Sequence, residues 1–416
     1  MKQFFLSLSS IFIMFSCKDA DLHYLKEKYA FFDVETIVSP TGTKMIFSAE
    51  ISNDGNEEII DHGFFWGTST NKNSTDFVFN NWINSATDEA QRLFLLEKGT
   101  TISLGKLEKT NQFTYETDVV LGRKYLVMAY IKTNKYVTYS KLTVIDESSV
   151  WHKKDTQIIP PNTTGYFCKN DKIYIADSGD RKIYELNVSS YNLVDKQNCP
   201  DLFNFFHFVI GDIAYFSHYY NGYNNMYDMW QYNTMTDRWT FITGKQEIPS
   251  SEPVVISFTQ GQKGYSIFND RNLQDYYIYE YEPKTNIWTQ KNKSEITRGV
   301  RQSNLFYHKN RVYVYFNNKM WYFDENLATF QVKTNINFGS IHSIVTIDDN
   351  VYMILSKGNV WDIFKYDPEN DNIDKLCTLY RSIYTNPIFV VAAKKKILFL
   401  PIGESHLYEL DLSKLQ

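Results

Sequence analysis

The sequence predicts an all-β chain: a β-sandwich over residues 29–147, then six small antiparallel sheets over 148–416 that close on one another in a ring. Three observations predict it. First, MWQYNTMTDRW at 229–239 reads as strand, tight turn, strand. Its nine-residue step from Trp230 to Trp239 recurs from Tyr184 to Leu193, Tyr279 to Trp288, Trp321 to Phe330 and Phe364 to Ile373. Apolar and polar residues alternate on both sides of each turn, as half-buried antiparallel strands require. Second, the first members of these pairs stand 46, 49, 42 and 43 residues apart, a period that marks a repeat whose units bury their faces on one another. Third, a sixth copy starts at Tyr408, 44 residues after Phe364, and lacks its outer strand. Val150-Trp151-His152-Lys153-Lys154 is the expected donor, with Trp151 standing where Trp239 and Trp288 stand in their repeats. Closure of this kind removes an open sheet edge.

In chain order, residues 1–16, MKQFFLSLSSIFIMFS, have the form of an export signal: Lys2, then a short apolar run from Phe4 to Phe15. That run is too short to span a bilayer as a helix. Cys17 follows a small residue, Ser16, and the segment resembles a bacterial lipobox, with Phe15 bulky for its position. The resemblance implies that Cys17 is lipidated and becomes the mature N-terminus. Several acyl chains on one residue give stable attachment where one chain is marginal. The alternatives are ordinary cleavage, which leaves Cys17 a bystander, and an uncleaved hydrophobic anchor. Residues 17–28 form a tether, and Lys18-Asp19-Ala20-Asp21 is similar to the surface-export signal of Bacteroidetes lipoproteins, which implies an outer-membrane, outward-facing location.

Residues 29–147 carry strand-like runs at 43–51, 63–69, 113–120, 125–133 and 136–145, the pattern of a fibronectin- or immunoglobulin-type sandwich. GFFWGTS, then LGKL, LGRKYLVMAYIKTN and VTYSKLTV, resembles the fibronectin-III-like modules of Bacteroidetes surface proteins. Tyr125, shortly after Leu121-Gly122, matches the tyrosine-corner position. The stretch 70–100 reads as a loop with one short helix at ATDEAQRLF. Such modules act as spacers.

In residues 148–416, DKIYIAD, GDIAYFS, KGYSIFN, RVYVYFN, NVYMILS and KKILFLP read as the second strands of six repeats, preceded by runs such as VVISFTQ and IFVVAAK. Turn residues Pro, Asn, Asp and Thr suit short hairpins. The order aromatic, turn, tryptophan resembles the kelch and galactose-oxidase-like propellers, although the Gly-Gly doublet typical of kelch repeats is absent from every copy. The resemblance implies a six-bladed propeller.

Composition narrows the function. With 43 Lys+Arg against 48 Asp+Glu the net charge is −5, and no basic stripe points to nucleic acid. Aromatic residues make up 17% of the chain, which stacked sheets absorb in their cores. If Cys17 carries lipid, Cys168, Cys199 and Cys377 remain, an odd number. Cys168 and Cys199 can pair or stay as thiols. No zinc-type spacing occurs, so no metal or other cofactor is expected.

A propeller implies a ligand mouth built by the loops from second to third strands and by the links between blades. Those at 178–181, 219–227, 270–276, 357–362 and 402–406 are of the first kind. HYYNGYNNMYDMW at 218–230 is the most unusual. Tyr219, Tyr220 and Tyr223, interleaved with amides, suit stacking on sugar faces, or they cover a neighbouring blade. Arg181, Arg271, Arg301 and Arg381, with Asp270 and Arg298, can line a mouth for carboxylate or sulfate, or form surface ion pairs. His218, His342 and His406 are spread over three repeats. No catalytic residues are assigned: the sequence shows no recognisable set for the galactose-oxidase copper site and no sialidase S-x-D-x-G-x-x-W box. The leading expectation is a lipid-anchored surface protein that recognises a glycan or partner protein without catalysis. The alternatives are a carbohydrate-active enzyme, mutarotase-like or oxidase-like, and a structural subunit of an outer-membrane uptake complex.

Overall fold

A computed structural model describes residues 35–38, 44–51, 58–67, 86–108, 111–118, 120–121, 123–135, 137–146, 151–169, 171–198, 206–219, 227–246, 256–270, 275–297, 300–357, 360–380 and 388–415. Residues 1–28, read above as export signal, Cys17 and tether, lie outside them. The chain divides into two compact units, Met1–Ser149 and Val150–Gln416. It is all-β, built largely of four-stranded antiparallel sheets.

In the first unit, β1 (Glu35–Val38), β2 (Lys44–Glu50) and β5 (Gln112–Asp118) make one sheet. The second, in order β4 (Thr100–Gly105), β3 (Asp61–Gly67), β6 (Lys124–Lys132), β7 (Val137–Tyr139), also pairs β8 (Thr143–Asp146) with β6. Phe47 of the first sheet meets Phe64 of the second with ring centroids 5.6 Å apart, so the two share a core. The Tyr125 phenol accepts the Val120 N–H at 2.9 Å. The run expected at 136–145 is two strands, because the Ser140 hydroxyl takes the Ala129 N–H at 2.8 Å and interrupts the ladder. β4 carries no alternation in the sequence because it is an edge strand with mostly exposed side chains. The helix α1 (Asp88–Lys98) is capped by Thr87, whose hydroxyl accepts the Ala90 N–H at 3.3 Å, and it buries Leu95 against Leu126 and Met128.

The second unit holds six four-stranded sheets. Sheet I is β10 (Thr163–Lys169), β11 (Lys172–Asp177), β12 (Lys182–Asn187) and β13 (Leu193–Asn198). Sheet II is β14 (Phe206–Ile210), β15 (Ile213–Tyr219), β16 (Tyr227–Asn233) and β17 (Arg238–Gln246). Sheet III is β18 (Ser257–Gln260), β19 (Lys263–Asp270), β20 (Asp275–Glu282) and β21 (Ile287–Lys293). Sheet IV is β22 (Leu305–His308), β23 (Arg311–Phe316), β24 (Lys319–Asp324) and β25 (Thr329–Asn335). Sheet V is β26 (Ile341–Ile347), β27 (Asn350–Lys357), β28 (Val360–Asp367) and β29 (Asn372–Tyr380). Sheet VI is β30 (Ile388–Ala393), β31 (Lys396–Pro401), β32 (His406–Asp411) and, as its fourth strand, β9 (Trp151–Asp155).

The nine-residue step runs from third to fourth strand. Two residues after each first member lies the ladder partner of the second: Leu186 faces Leu193, Tyr232 Trp239, Tyr281 Trp288, Phe323 Phe330 and Tyr366 Ile373. Leu410 faces Trp151 in the same register. The intervening turn puts one residue in the left-handed region in five sheets: Tyr191 (φ 57°), Asp237 (54°), Asn286 (60°), Ala328 (44°) and Asp371 (57°). In three of them that side chain accepts the phenol of the tyrosine five residues back: Tyr232 to Asp237 at 2.6 Å, Tyr281 to Asn286 at 2.7 Å and Tyr366 to Asp371 at 2.6 Å. Asp and Asn tolerate this backbone better than most residues.

Each sheet packs on the next. Phe167 of I meets Phe216 of II, Phe208 of II meets Tyr281 of III, and Phe258 of III meets Phe323 of IV. Phe306 and Tyr313 of IV cluster with Val351 and Tyr366 of V. Trp361 of V stacks on Phe399 of VI at 4.7 Å, and Leu398 and Leu400 of VI pack with Ile173 and Ile175 of I. Gly264 is required at one of these junctions: a Cβ there would lie 2.2 Å from the Phe208 ring. These contacts account for much of the aromatic content.

Candidate functional site

The first strand of every sheet is its innermost element with respect to a cavity of 1220 Å³, which residues of β10, β14, β18, β22, β26 and β30 all line. Side chains stitch these strands to one another across the sheet boundaries. Gln302 donates its Nε2–H to the Ser257 carbonyl at 2.6 Å and accepts the Ser257 N–H at 3.0 Å. At the other end of the same junction Gln260 donates to the Asn310 carbonyl at 2.9 Å. Ser303 donates to the His342 carbonyl at 3.1 Å, and Thr346 to the Tyr307 carbonyl at 2.8 Å. Two such links at each junction fix the first strands of III, IV and V in the same direction. Tyr166 donates to the Val390 carbonyl at 3.1 Å, joining sheets I and VI.

No Asp or Glu lines the cavity among the described residues, whereas Lys169, His207, Arg301 and His342 do. Lys169 lies at the far end of β10 and pairs with Asp212 at 3.6 Å. Arg301 precedes the 3-10 turn Gln302–Asn304 and is exposed, with no side-chain hydrogen bond or ion pair among the described residues. Burial brings the His207 imidazole down to about 4, against a hydrogen bond to the Tyr166 backbone, so it is neutral at physiological pH. Although its side chain is exposed, Cys168 is surrounded closely enough that desolvation pushes its thiol up to about 12; desolvation also raises the Tyr307 phenol, whose oxygen accepts the Thr259 N–H at 3.0 Å. Tyr307 is nonetheless 41% exposed. Deep surroundings combined with accessible surface mean that its ring faces the cavity.

His342 sits at a bulge in β26, between the paired residues Ile341 and Ser343. Bulges re-aim side chains. The next residue, Ser343, lines the cavity, is 1% exposed, and its Oγ has no hydrogen-bond partner among the described residues. Two histidines, His207 and His342, two tyrosines, Tyr166 and Tyr307, and Cys168 share the lining. Among the described residues no group of three His, Cys, Asp or Glu is placed to hold a metal.

Of the residues singled out in the sequence, Arg301 and His342 line the cavity. Arg181 lies in the turn between β11 and β12, with φ 53°. Tyr219 is the last residue of β15 and pairs with Tyr227, so the ladder takes up part of the stretch read as a loop. Likewise Asp362, expected in a loop, lies inside β28 opposite Leu355. His406 opens β32. Cys168 is a free thiol among the described residues, and its suggested partner Cys199 lies outside them. Tyr220, Tyr223, Arg271, Arg298, Arg381 and Cys199 lie outside the described residues, as do the side chains of His218, Tyr219 and Asp270. Sequence reasoning missed Ser343, Tyr307 and Gln302. No local motif marks them; only their places on the first strands do.

No family model matches the chain, and no curated protein matches it. Among solved structures it is similar to a structural-genomics protein of unknown function from Bacteroides thetaiotaomicron VPI-5482, at 8% identity over 91% of this chain and 98% of that one, with a TM-score of 0.44. It is also similar to YjhT, at 12% identity over 61% of this chain and 94% of that one, with a TM-score of 0.44.

Proposed function

We propose that this chain is a lipid-anchored cell-envelope protein whose second unit is a six-bladed propeller that recognises a glycan without turning it over. The observation that carries the reading is the cavity faced by the first strands of all six sheets. Its wall offers rings, amides, hydroxyls and cations, the groups that hold a polar ligand by stacking and hydrogen bonding. The sheets then are the blades, with β9 closing the sixth. The first unit is a fibronectin-III-like spacer, a reading supported by its two-sheet core and by the Tyr125 bond to Val120. The export signal and Cys17 supply the anchor, and the outer membrane is its expected location. The mutarotase-like alternative would be favoured by arginine and glutamate converging in the cavity, and no glutamate lines it among the described residues.

The test is a glycan-array screen of the full chain in detergent, with metal content measured on the same sample. Specific glycan binding without metal is the expected result. A blank array transfers the reading to a partner protein or to a subunit of an uptake complex. Stoichiometric copper overturns the non-enzymatic reading in favour of an oxidase.

A further inference from the structure

Arg301 and Ser343 line the cavity wall where sheets IV and V meet, and Tyr307 lines it beside them, its phenol reaching Thr259 of sheet III. Arg301 stands two residues before Ser303, and Ser303 donates to the carbonyl of the bulged His342 at 3.1 Å. Ser343 follows at once. The cavity wall at this junction therefore presents an exposed guanidinium and a hydroxyl that is 1% exposed and has no partner among the described residues. Further along β22, the Tyr307 ring faces the same space, with its phenol oxygen held by Thr259 and its carbonyl by Thr346.

A buried hydroxyl left without a partner is destabilising relative to one that is satisfied, so a ligand atom that bonds Ser343 offsets that cost. A guanidinium fork matches the planar or tetrahedral oxygens of a carboxylate or sulfate. No carboxylate in the described lining competes for it, and the other lining cation, Lys169, is already paired with Asp212. Field lines in such a cleft favour anions. A ring fixed at its hydroxyl end keeps its face for apolar contact at little entropic cost.

We infer that the junction of sheets IV and V is a seat for an acidic glycan, its carboxylate or sulfate on Arg301 and Ser343 and a sugar face against Tyr307. This rests on the glycan reading above and adds the charge of the ligand and the residues that select it.

The experiment uses the full chain and an array of oligosaccharides in three matched sets: neutral, uronate-bearing and sulfated. Methyl-esterified uronates and desulfated versions serve as controls. Binding confined to one acidic set, lost on esterification or desulfation, is expected, and the set that binds identifies the anion. For the oligosaccharide that binds, Arg301→Gln should weaken affinity roughly 10-fold or more, in keeping with loss of a charge-assisted pair. Ser343→Ala should weaken it several-fold, and raised salt should weaken the parent protein more than Arg301→Gln. Arg301 is exposed and has no ion pair among the described residues, so its variant should keep the parent Tm and report on binding alone. Binding of neutral glycans that Arg301→Gln leaves unchanged would overturn the acidic seat while leaving glycan recognition standing. Absence of binding to all three sets would overturn both.

Discussion

Glu280 shows how a charge is kept within a packed sheet. It lies on the third strand of sheet III and receives Lys263 at 2.8 Å, the Tyr265 phenol at 3.0 Å and Lys291 at 3.3 Å. Sheet I repeats the device with Glu185 between Lys172 at 2.9 Å and Lys196 at 3.0 Å, and sheet VI with Glu409 between Lys396 at 2.9 Å and Tyr191. Burial alone would raise the carboxyls of Glu280 and Glu185. Their hydrogen bonds and the lysine charges outweigh it, so both are lowered from the ordinary 4.5. The folded pKa is then below the unfolded one. Each carboxylate contributes stability that is fully present above about pH 4.5 and is lost as pH falls through the folded value. The Tm should therefore drop in acid. Glu280→Gln should cost roughly 1–2 kcal/mol at neutral pH, the figure for a charged hydrogen bond discounted for half-exposed lysines, and should flatten part of the acid decline. Thermal melts at pH 7 and below pH 4.5 test this; a variant with the parent's full acid slope would acquit Glu280.

At the scale of elements, β9 is the strand with the most to explain, because it joins a sheet whose other strands begin 233 residues further on, at Ile388 against Asp155. Its reason is written in Trp151, which stacks on Tyr408 at 5.2 Å, meets Phe399 edge-on at 5.0 Å and is 6% exposed. Trp151 faces Leu410 as Trp239 faces Tyr232, so the borrowed strand copies the register of a covalently continuous one. Without it, β32 would present a bare edge to other chains. Trp151→Ala should lower stability by about 3–5 kcal/mol, the range for removing a large buried ring, and should promote association during refolding. Denaturant midpoints with light scattering check both. A loss under 1 kcal/mol with no aggregation would mean that sheet VI holds without its fourth strand.

For the whole molecule, what could be read in the sequence depended on distance along the chain. In sheets I to V third and fourth strands are joined by turns of four or five residues, so the nine-residue step, the Tyr-to-Asp bond across the turn and the left-handed Asp237 or Asn286 all leave a local signature. The cavity leaves none. Its wall takes a few residues from each of six strands about 45 residues apart, and Ser343 looks like any strand serine until the bulge at His342 sets its direction. The tyrosine-rich stretch drew attention because it is dense, yet Tyr219 spends its backbone on a ladder. Anchorage is a different kind of inference, since it rests on residues 1–17 and on chemistry rather than on packing. The apolar run there is too short to span a bilayer as a helix, and one acyl chain holds a protein only marginally, whereas several hold it stably. Attachment should therefore depend on the Cys17 sulfur. In fractionated cells Cys17→Ala should move the protein from the membrane to the soluble fraction, while protease added to intact cells should degrade the parent if it faces outward. Persistence of Cys17→Ala in carbonate-washed membranes would place the anchor elsewhere in the chain, and protection of the parent from protease would put the cavity, and any glycan it takes, on the periplasmic side.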